Sequence, residues 1–283
     1  MTHPVLKSGA VAVVTGGASG IGLVAAERFA ALGLKVAIVD LGADKLAGAA
    51  TRVAAVAAGG AADVAAFEVD VSKRDEVEDL KDKVLARFGG VDVVMNNAGI
   101  GPGSAILGSP EAWHKVIGTN LWGIINGCQV FVPEMIASGK PGLVINTGSK
   151  QGITTPPGDP AYNVSKAGVK VFTEALEHEL RNTAGGRITA HLLIPGFVFT
   201  PLTAHGRVEK PAGAWTPEQT VDFMLDHLSA GDFYILCPDN DAPRALDAKR
   251  ILWAAGDIVE NRPPLSRWHK DFGQAFADFV NKG

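Results

Sequence analysis

The stretch Thr15-Gly-Gly-Ala-Ser-Gly-Ile-Gly22 decides the fold, because it joins a short apolar run to a helical pattern. The run before it, Ala10–Thr15, is apolar at nearly every position, as a strand buried on both faces of a parallel sheet must be. Glycines at such a junction let the backbone turn tightly and approach a pyrophosphate at the positive N-terminus of the helix. Asp40 ends the next apolar run, 18 residues after Gly22, where a carboxylate accepts hydrogen bonds from ribose hydroxyls. We therefore predict a strand–turn–helix unit that binds a dinucleotide.

Apolar runs and helical patterns alternate along the chain beyond this unit. The alternation predicts an α/β protein with a doubly wound Rossmann fold, in which a seven-stranded parallel sheet carries helices on both faces. The predicted strands are Ala10–Thr15, Lys35–Asp40, Val64–Asp70, Val91–Met95, Leu143–Thr147, Ile188–Ile194 and Phe233–Cys237. The predicted helices cover residues 21–32, 43–58, 74–88, 109–137, 160–182 and 217–229. Thr216-Pro-Glu-Gln219 predicts the start of the last of these, because it has the pattern of a capping box with proline at the first helical position.

The last forty or so residues stand apart, because the alternation has ended before them. We predict a dinucleotide-binding catalytic domain over residues 1–240 and a C-terminal helical extension over residues 241–283, packed on the same domain or on a partner subunit. The first part of this extension, Asp241–Glu260, has a helical pattern. Further along, aromatic residues recur at spacings of four, four and three, which predicts a stripe on one face of a second helix. These residues are Trp268, Phe272, Phe276 and Phe279.

Composition excludes several classes of protein. The 26 Lys and Arg against 30 Asp and Glu give a net charge of −4, which argues against the basic face of a nucleic-acid-binding protein. No apolar run approaches the 20 or so residues of a membrane span, and the N-terminus lacks the apolar segment of a signal peptide. Cys128 and Cys237 cannot build a disulfide framework and are expected to be buried, and the scattered histidines predict no metal site. We expect a cytoplasmic protein without nucleic-acid or membrane partners.

A second group of residues carries acid–base chemistry. Tyr162 and Lys166 are four residues apart, on one face of a predicted helix. A cation about 4 Å from a phenol contributes about 4 kcal/mol at an effective dielectric constant of about 20. That is enough to lower a tyrosine pKa by about three units, toward neutrality. Ser149 follows the predicted fifth strand, Asn120 lies inside a predicted helix despite its low helix propensity, and Asn96-Asn-Ala-Gly99 closes the fourth strand, where a parallel sheet opens its ligand crevice.

With these motifs in order, and with Pro195-Gly-Phe-Val-Phe-Thr200 after them, the chain resembles the short-chain dehydrogenase/reductase family from about residue 10 to residue 237. The resemblance implies an oxidoreductase that transfers hydride between an alcohol or ketone and a nicotinamide cofactor. It implies that Tyr162 is the general acid/base and that Ser149 positions the substrate oxygen. It also implies that Lys166 binds the nicotinamide ribose and that Asn120 supports a water relay. We expect the positive ring of the oxidised cofactor to help Lys166 lower the pKa of Tyr162.

We expect the cofactor to be NAD. The carboxylate of Asp40 would repel the 2′-phosphate of NADP, and no Lys or Arg lies in Gly16–Gly22 or directly after Asp40 to offset it. The glycine stretch and the family resemblance together assign the cofactor-binding residues. They are Gly16, Ser19, Gly20, Ile21, Gly22, Asp40, Asp70, Val71, Asn97, Ala98, Gly99, Tyr162, Lys166, Pro195, Val198 and Thr200.

The substrate is predicted from the segment 195–215, which is long for a connection and is rich in apolar residues, as lids over apolar pockets are. We expect Gln151, Phe197 and Trp215 to contact substrate and Lys150 to face solvent. A hydrophobic secondary alcohol, or the matching ketone, is the expected substrate. Two alternatives stay open: an NADPH-dependent keto reductase of the acyl-reductase type, and a non-catalytic dinucleotide-binding sensor or scaffold.

The resemblance also implies a homodimer or homotetramer. In the family, helices corresponding to residues 109–137 and 160–182 pair across a dimer axis, and the last strand often builds a tetramer. The C-terminal extension follows that last strand directly, which puts tetramer formation in question.

Overall fold

A parallel sheet of seven strands forms the centre of the protein in a computed structural model that describes residues 3–183 and 187–282. The strands lie in the order β3-β2-β1-β4-β5-β6-β7, so the chain reverses its winding direction between β1 and β4. A crevice opens at the carboxyl ends of the strands at such a point. The strands are β1 (Val11–Thr15), β2 (Lys35–Asp40), β3 (Val64–Glu68), β4 (Val93–Asn96), β5 (Gly142–Thr147), β6 (Ile188–Ile194) and β7 (Tyr234–Leu236).

Helices connect the strands and lie on both faces of the sheet, as a doubly wound fold requires. The helices are α1 (Gly20–Ala31), α2 (Ala43–Ala54), α3 (Arg74–Phe88), α4 (Pro110–Ile117), α5 (Gly123–Ala137), α6 (Gln151–Thr154), α7 (Pro160–Asn182), α8 (Pro201–Ala204), α9 (Pro217–Ala230), α10 (Arg244–Val259) and α11 (Gly273–Asn281). The capping box predicted at Thr216 is confirmed, since its hydroxyl accepts the Gln219 N–H and the Gln219 side chain accepts the Thr216 N–H. The helix predicted near residues 109–137 is found as an unbroken helical run from Pro110 to Ala137, and the sequence does not indicate the π-helical turn at Gly118–Trp122 that lies between α4 and α5.

The core lies on both faces of the sheet, because the alternate side chains of each strand point to opposite faces. Ala12 and Val14 of β1 join a cluster with Phe29 of α1, while Val11 and Val13 join a second cluster with residues of α3, α5 and α7. Both cysteines are buried in these clusters, as predicted. None of the helices in the described ranges is long and apolar enough to cross a membrane.

The C-terminal extension packs on the same chain, through contacts of α10 with α6. The prediction of one aromatic stripe over residues 268–279 is wrong: Trp268 belongs to a separate 3₁₀ turn, and α11 begins only at Gly273. The part of the stripe that lies on α11 does pack on an aromatic neighbour. The ring centroids of Phe276 and Phe279 lie 5.4 and 5.3 Å from that of Trp253 on α10. The division of the chain at residue 240 stays a prediction.

Gly22 lies where α1 comes close to the turn that precedes it, and there is no room for a side chain at this position. A Cβ atom at this position would overlap the carbonyl oxygen of Gly16 and lie 2.6 Å from the Asn97 Nδ2 atom. We therefore expect Gly22→Ala to lower the free energy of unfolding by about 2 kcal/mol or more, measured by urea denaturation. Gly48, inside α2, is the matched control, because a Cβ there meets no atom within 4 Å. Gly48→Ala should raise the same free energy by about 0.5–1 kcal/mol, and equal effects of the two substitutions would contradict this packing argument.

Candidate active site

A cleft of about 440 Å³ opens at the carboxyl ends of the strands, where the strand order reverses. Most of the residues that the sequence assigns to cofactor binding and catalysis line it together. These are Gly16, Ser19, Gly20, Ile21, Asp40, Asp70, Val71, Asn97, Ala98, Gly99, Ser149, Tyr162, Lys166, Pro195, Val198 and Thr200. Two others, Gly22 and Asn120, lie behind the lining. In the described part of the chain, no three His, Cys, Asp or Glu side chains converge as metal ligands would.

The glycine turn between β1 and α1 gives the cleft a wall made of backbone. Gly16 and Gly20 have φ angles of +64° and +53°, which side chains rarely adopt. A Cβ on Gly16 would lie 2.8 Å from the Ala98 Cα atom, and one on Gly20 would lie 3.1 Å from the Thr200 Cγ2 atom. Ser19 precedes α1 without capping it through its side chain, so the first N–H groups of the helix face the cleft. This cradle fits a dinucleotide pyrophosphate.

Asp40 stands at the end of β2, at the rim of the same cleft. Its carboxylate accepts hydrogen bonds from the Ala18 N–H at 3.0 Å and from the Leu41 N–H at 2.8 Å. These bonds hold the carboxylate in place beside the glycine turn. Its chain neighbours in the cleft wall, Val39 and Leu41, are uncharged, so nothing adjacent along β2 would pair with a 2′-phosphate.

Tyr162 and Lys166 share one face of α7, as predicted. The helix begins after Asp159, whose carboxylate accepts the Tyr162 N–H at 3.2 Å and so fixes the first turn. The Lys166 Nζ atom lies 5.8 Å from the centroid of the Tyr162 ring and donates to the Thr147 carbonyl oxygen at 2.7 Å. The two groups are therefore neighbours without a direct hydrogen bond.

Burial acts on the protonation of both members of this pair. Burial raises the pKa of Tyr162, the hydrogen bond with the Ser149 hydroxyl lowers it, and the carboxylate of Asp159 raises it further. Burial also lowers the pKa of Lys166 to about 8. Burial thus works against the charged form of each group. That Lys166, helped by the positive nicotinamide ring of bound NAD⁺, brings the phenol toward neutrality stays a prediction.

Asn120 lies in the π-helical turn and is fully buried. Its side chain pairs with the backbone of Ile100, accepting the N–H at 2.8 Å and donating to the carbonyl oxygen at 3.0 Å. The side chain also donates to the Ser165 hydroxyl at 3.3 Å. Asn120 thus joins the loop after β4 to α7, while its part in a water relay stays a prediction.

The loop after β4 is fixed to β1 as well. The Thr15 hydroxyl accepts the backbone N–H groups of Asn97 at 2.9 Å and Ala98 at 3.1 Å. On the opposite wall, the Asp70 carboxylate accepts the Ser72 N–H and hydroxyl at 3.0 and 2.7 Å. Both walls of the cleft therefore keep their shape through side chains of the protein itself.

The expectation that Lys150 faces solvent is wrong. Its side chain is 16% exposed, and its Nζ atom lies 3.1 Å from the Asp239 Oδ2 atom and 2.5 Å from the Asp247 Oδ2 atom. Asp239 also accepts the Phe197 N–H at 3.1 Å. This ion triad links the residue after Ser149, the start of the segment 195–215 and helix α10.

The residues expected to contact substrate lie outside the lining of the cleft. Trp215 packs on Phe223 of α9, with ring centroids 5.6 Å apart, and Gln151 is exposed on α6. The ring of Phe197 lies under the Arg207 guanidinium, 5.8 Å away. Two backbone hydrogen bonds join the two ends of the segment 195–215. The Trp215 N–H donates to the Phe197 carbonyl oxygen, and the Phe199 N–H donates to the Trp215 carbonyl oxygen. Contacts of these residues with substrate stay a prediction.

Several residues of the cleft wall are not identified by sequence reasoning, among them Leu41, His114 and Lys115. Leu41 directly follows Asp40, so proximity to an assigned residue is a usable signal. His114 and Lys115 lie on α4, and nothing in their local sequence indicates that the helix reaches the cleft.

The comparisons with known proteins agree with this geometry. The profile of the family described as short chain dehydrogenase matches residues 10–210. The chain belongs to the short-chain dehydrogenase/reductase family. It is 32% identical to 1-deoxy-11-beta-hydroxypentalenate dehydrogenase of Streptomyces avermitilis, over 86% of this chain and 89% of that protein. It is also 35% identical to a 3-oxoacyl-(acyl-carrier-protein) reductase of Thermotoga maritima, over 80% of this chain and 85% of that protein.

A solved member of the family shares the fold over almost the whole chain. The short-chain dehydrogenase/reductase of Burkholderia phymatum, in complex with NAD, superposes with a TM-score of 0.81 at 30% identity, covering 93% of this chain and 98% of its own. The chain is therefore a short-chain dehydrogenase/reductase oxidoreductase that binds a nicotinamide dinucleotide and transfers hydride between an alcohol and a ketone. This confirms the resemblance predicted from the motifs.

The buried ammonium of Lys166 is expected to cost stability. Its pKa of about 8 lies below the ordinary 10.5, so the unfolded chain binds this proton more tightly and protonation disfavours folding below about pH 8. Lys166→Met should raise the free energy of unfolding at pH 7 by about 2 kcal/mol, and the gain should vanish as the pH rises toward 10.5. Urea denaturation at several pH values measures this. A gain that does not depend on pH would contradict the assignment to the ammonium.

The ion triad is expected to stabilise the protein through Asp247, whose side chain is only 4% exposed. Asp247→Asn removes one of the two carboxylates that balance Lys150, so we expect a loss of about 2–3 kcal/mol in the free energy of unfolding. Asp82→Asn is the matched control, because that carboxylate is 73% exposed and should change stability by less than about 0.5 kcal/mol. Indistinguishable urea midpoints for the two variants would contradict a structural role of the triad.

Proposed function

We propose that this protein is an NAD-dependent alcohol dehydrogenase or ketone reductase acting on a hydrophobic secondary alcohol or the matching ketone. One observation carries the proposal: Ser149, Tyr162 and Lys166 line the same cleft as the glycine turn and Asp40. A phenol, a hydroxyl and an ammonium are thereby brought next to a cradle for a dinucleotide. The arrangement supports proton transfer to and from an oxygen on the carbon that exchanges hydride.

The preference for NAD rests on Asp40. Two backbone N–H groups hold the Asp40 carboxylate in place, so it cannot easily move away from an incoming 2′-phosphate. The two negative groups would repel each other. The same carboxylate accepts hydrogen bonds from the ribose hydroxyls of NAD. The NADPH-dependent acyl reductase alternative gains support from the Thermotoga maritima relative and loses support from this carboxylate.

The chain's own residues perform the proton chemistry. The bound nicotinamide supplies hydride acceptance in oxidation and hydride donation in reduction. In alcohol oxidation the Tyr162 phenolate accepts the hydroxyl proton, while the Ser149 hydroxyl donates a hydrogen bond to the substrate oxygen. In reduction the neutral phenol donates that proton back to the oxygen. The Lys166 ammonium favours the phenolate electrostatically and offers its remaining donors to the ribose.

An apolar substrate is supported by the residues around Tyr162. A Cβ at Gly101 would lie 3.6 Å from the Leu202 Cδ1 atom and 3.8 Å from the Tyr162 Cδ2 atom, so a leucine side chain lies close to the reacting phenol. Ile106 and Leu107, in the loop before α4, are 68% and 95% exposed. Both belong to the loop that follows the cleft residue Ile100, and exposed apolar side chains are typical of surfaces that bind apolar groups.

A homodimer is supported by apolar side chains on the outer surfaces of α7 and the turn before α5. Trp122, Val164 and Val171 are 53%, 50% and 63% exposed. Pairing these helices with a second copy would remove them from water. We therefore propose that the chain forms a homodimer, so that its binding partners are a second copy of itself and the small-molecule substrate.

Tyr162→Phe tests the acid–base assignment, with hydrophobic secondary alcohols and NAD⁺ as substrates and NADH absorbance as the measurement. We expect kcat to fall about a hundredfold or more while the binding of NADH is retained. Tyr234→Phe, at the second tyrosine of the chain, is the control and should keep wild-type activity. Near-wild-type turnover in Tyr162→Phe would remove the phenol from the mechanism, and cofactor binding without turnover across the panel would favour the sensor or scaffold alternative.

The pH dependence should have opposite signs in the two directions. Burial raises the pKa of Tyr162, so the phenol is protonated at neutral pH. Oxidation needs the phenolate, so its rate depends on the fraction of Tyr162 that is deprotonated. We expect kcat/KM for oxidation to rise between about pH 6 and pH 10, while kcat/KM for reduction falls only at the alkaline end. Parallel profiles in the two directions would contradict this role.

Asp40→Ala tests the choice of cofactor. Removing the carboxylate should lower the ratio of kcat/KM for NAD⁺ to that for NADP⁺ by about tenfold or more. Asp44→Ala, at a nearby exposed acidic residue of α2, is the control and should leave the ratio unchanged. A wild-type preference for NADPH with acyl-thioester ketones would support the acyl reductase alternative.

A further inference from the structure

A second cavity, about 510 Å³ in volume, lies between α6 and the C-terminal extension. It shares no lining residue with the cleft that holds Tyr162. Its walls are mainly apolar and come from the end of α6, from α10 and from the 3₁₀ turn after it. Ile153, Ile251, Ala254, Leu265 and Trp268 belong to these walls. The cavity is therefore large enough for a small organic molecule and is built for one with an apolar body.

Three arginines, Arg250, Arg262 and Arg267, line this cavity against one carboxylate, that of Asp257. Arg267 forms no ion pair with any carboxylate of residues 3–183 and 187–282, and its guanidinium lies instead over the rings of Trp268 and Phe276, at 4.7 and 5.1 Å. Arg250 and Arg267 line the same cavity. Burial and the positive charge of Arg250 lower the pKa of Arg267, while the carboxylate of Asp247 raises it. A third arginine of the wall, Arg262, is satisfied by Asp257 and needs no ligand.

Arg250 is incompletely paired as well. Its Nε atom is buried and has no hydrogen-bond partner in the described part of the chain. Its Nη1 atom lies 3.6 Å from the Asp247 carboxylate, which already pairs with Lys150. Arg250 therefore shares its one carboxylate partner with Lys150, and Arg267 has no carboxylate partner among the described residues. The Arg250 Nε atom is closed to solvent, but the Arg250 side chain is 24% exposed and lines the cavity, so its exposed nitrogen atoms are the ones that would meet an anionic ligand.

We propose that this cavity is a second ligand site for a small amphipathic carboxylate. The carboxylate group would lie between Arg250 and Arg267, where paired N–H donors match its two oxygens. The apolar body would lie against Ile251, Ala254 and Trp268. Because the site shares no residue with the catalytic cleft, this inference does not depend on the function proposed above.

The test is isothermal titration calorimetry of the full-length protein with 4-phenylbutyrate, compared with the neutral amide 4-phenylbutyramide. We expect the carboxylate to bind and the amide to bind at least about tenfold more weakly, since a charged hydrogen-bonding pair is lost. Arg267→Gln and Arg250→Gln should each weaken carboxylate binding by a similar factor. Arg52→Gln is the matched control, because this exposed arginine lies on α2, beside β3 at the opposite edge of the sheet.

Ala254→Phe provides a second variant that leaves every charge in place. Filling the apolar wall should abolish binding of the carboxylate while far-ultraviolet circular dichroism stays that of the wild type. Saturating NADH should leave carboxylate binding unchanged, which separates this site from the cleft. Equal affinity for acid and amide, equal binding by the Arg267→Gln and Arg52→Gln variants, or competition with NADH would overturn the proposal. So would a change in sedimentation of Arg267→Gln in place of lost binding, because the cavity would then be an interface between copies.

Discussion

A single desolvated ammonium sets the requirements for the rest of the cleft. Lys166 is 4% exposed and donates to one backbone carbonyl, so most of the hydration that its charge has in water is not replaced. Burying such a charge lowers the free energy of unfolding, and the fold stays stable only because other interactions raise it by more. Here they come from the two apolar clusters on either side of a sheet whose central strands are buried on both faces. The free energy gained by packing these clusters thus offsets the cost of burying the Lys166 ammonium.

The rigidity of the cleft comes from polar side chains that bond to backbone rather than to one another. Thr15 holds the start of the loop after β4, Asn120 holds Ile100 further along that loop, and Asp159 fixes the first turn of α7. Each of these bonds crosses between elements that are distant along the chain or closes a helix end. Tyr162 is therefore positioned by backbone geometry on two sides, and its location does not depend on exposed side chains.

The fold and the cofactor side of the cleft could be predicted because their determinants are local. A central parallel strand must be apolar at consecutive positions, and a glycine turn must precede its helix directly. Lys150 could not be predicted, because its partner Asp239 lies 89 residues further along the chain. The start of α11 was misplaced for a related reason: the aromatic spacing has helical period, but Trp268 is held in a separate turn. The protonation of Tyr162 depends on burial, which no local pattern reports.

The π-helical turn at Gly118–Trp122 has a consequence for how this chain tolerates changes in length. Such a turn holds one more residue than an α-helical turn, so removing a single residue there would let α4 and α5 merge into one continuous helix. Because the wide turn absorbs its extra residue locally, the segments on either side would keep the faces that they present, and α5 would stay packed on the sheet. Asn120, which lies in the turn itself and pairs with the backbone of Ile100, would be displaced instead. A one-residue shortening there would therefore spare the core and disturb the loop after β4.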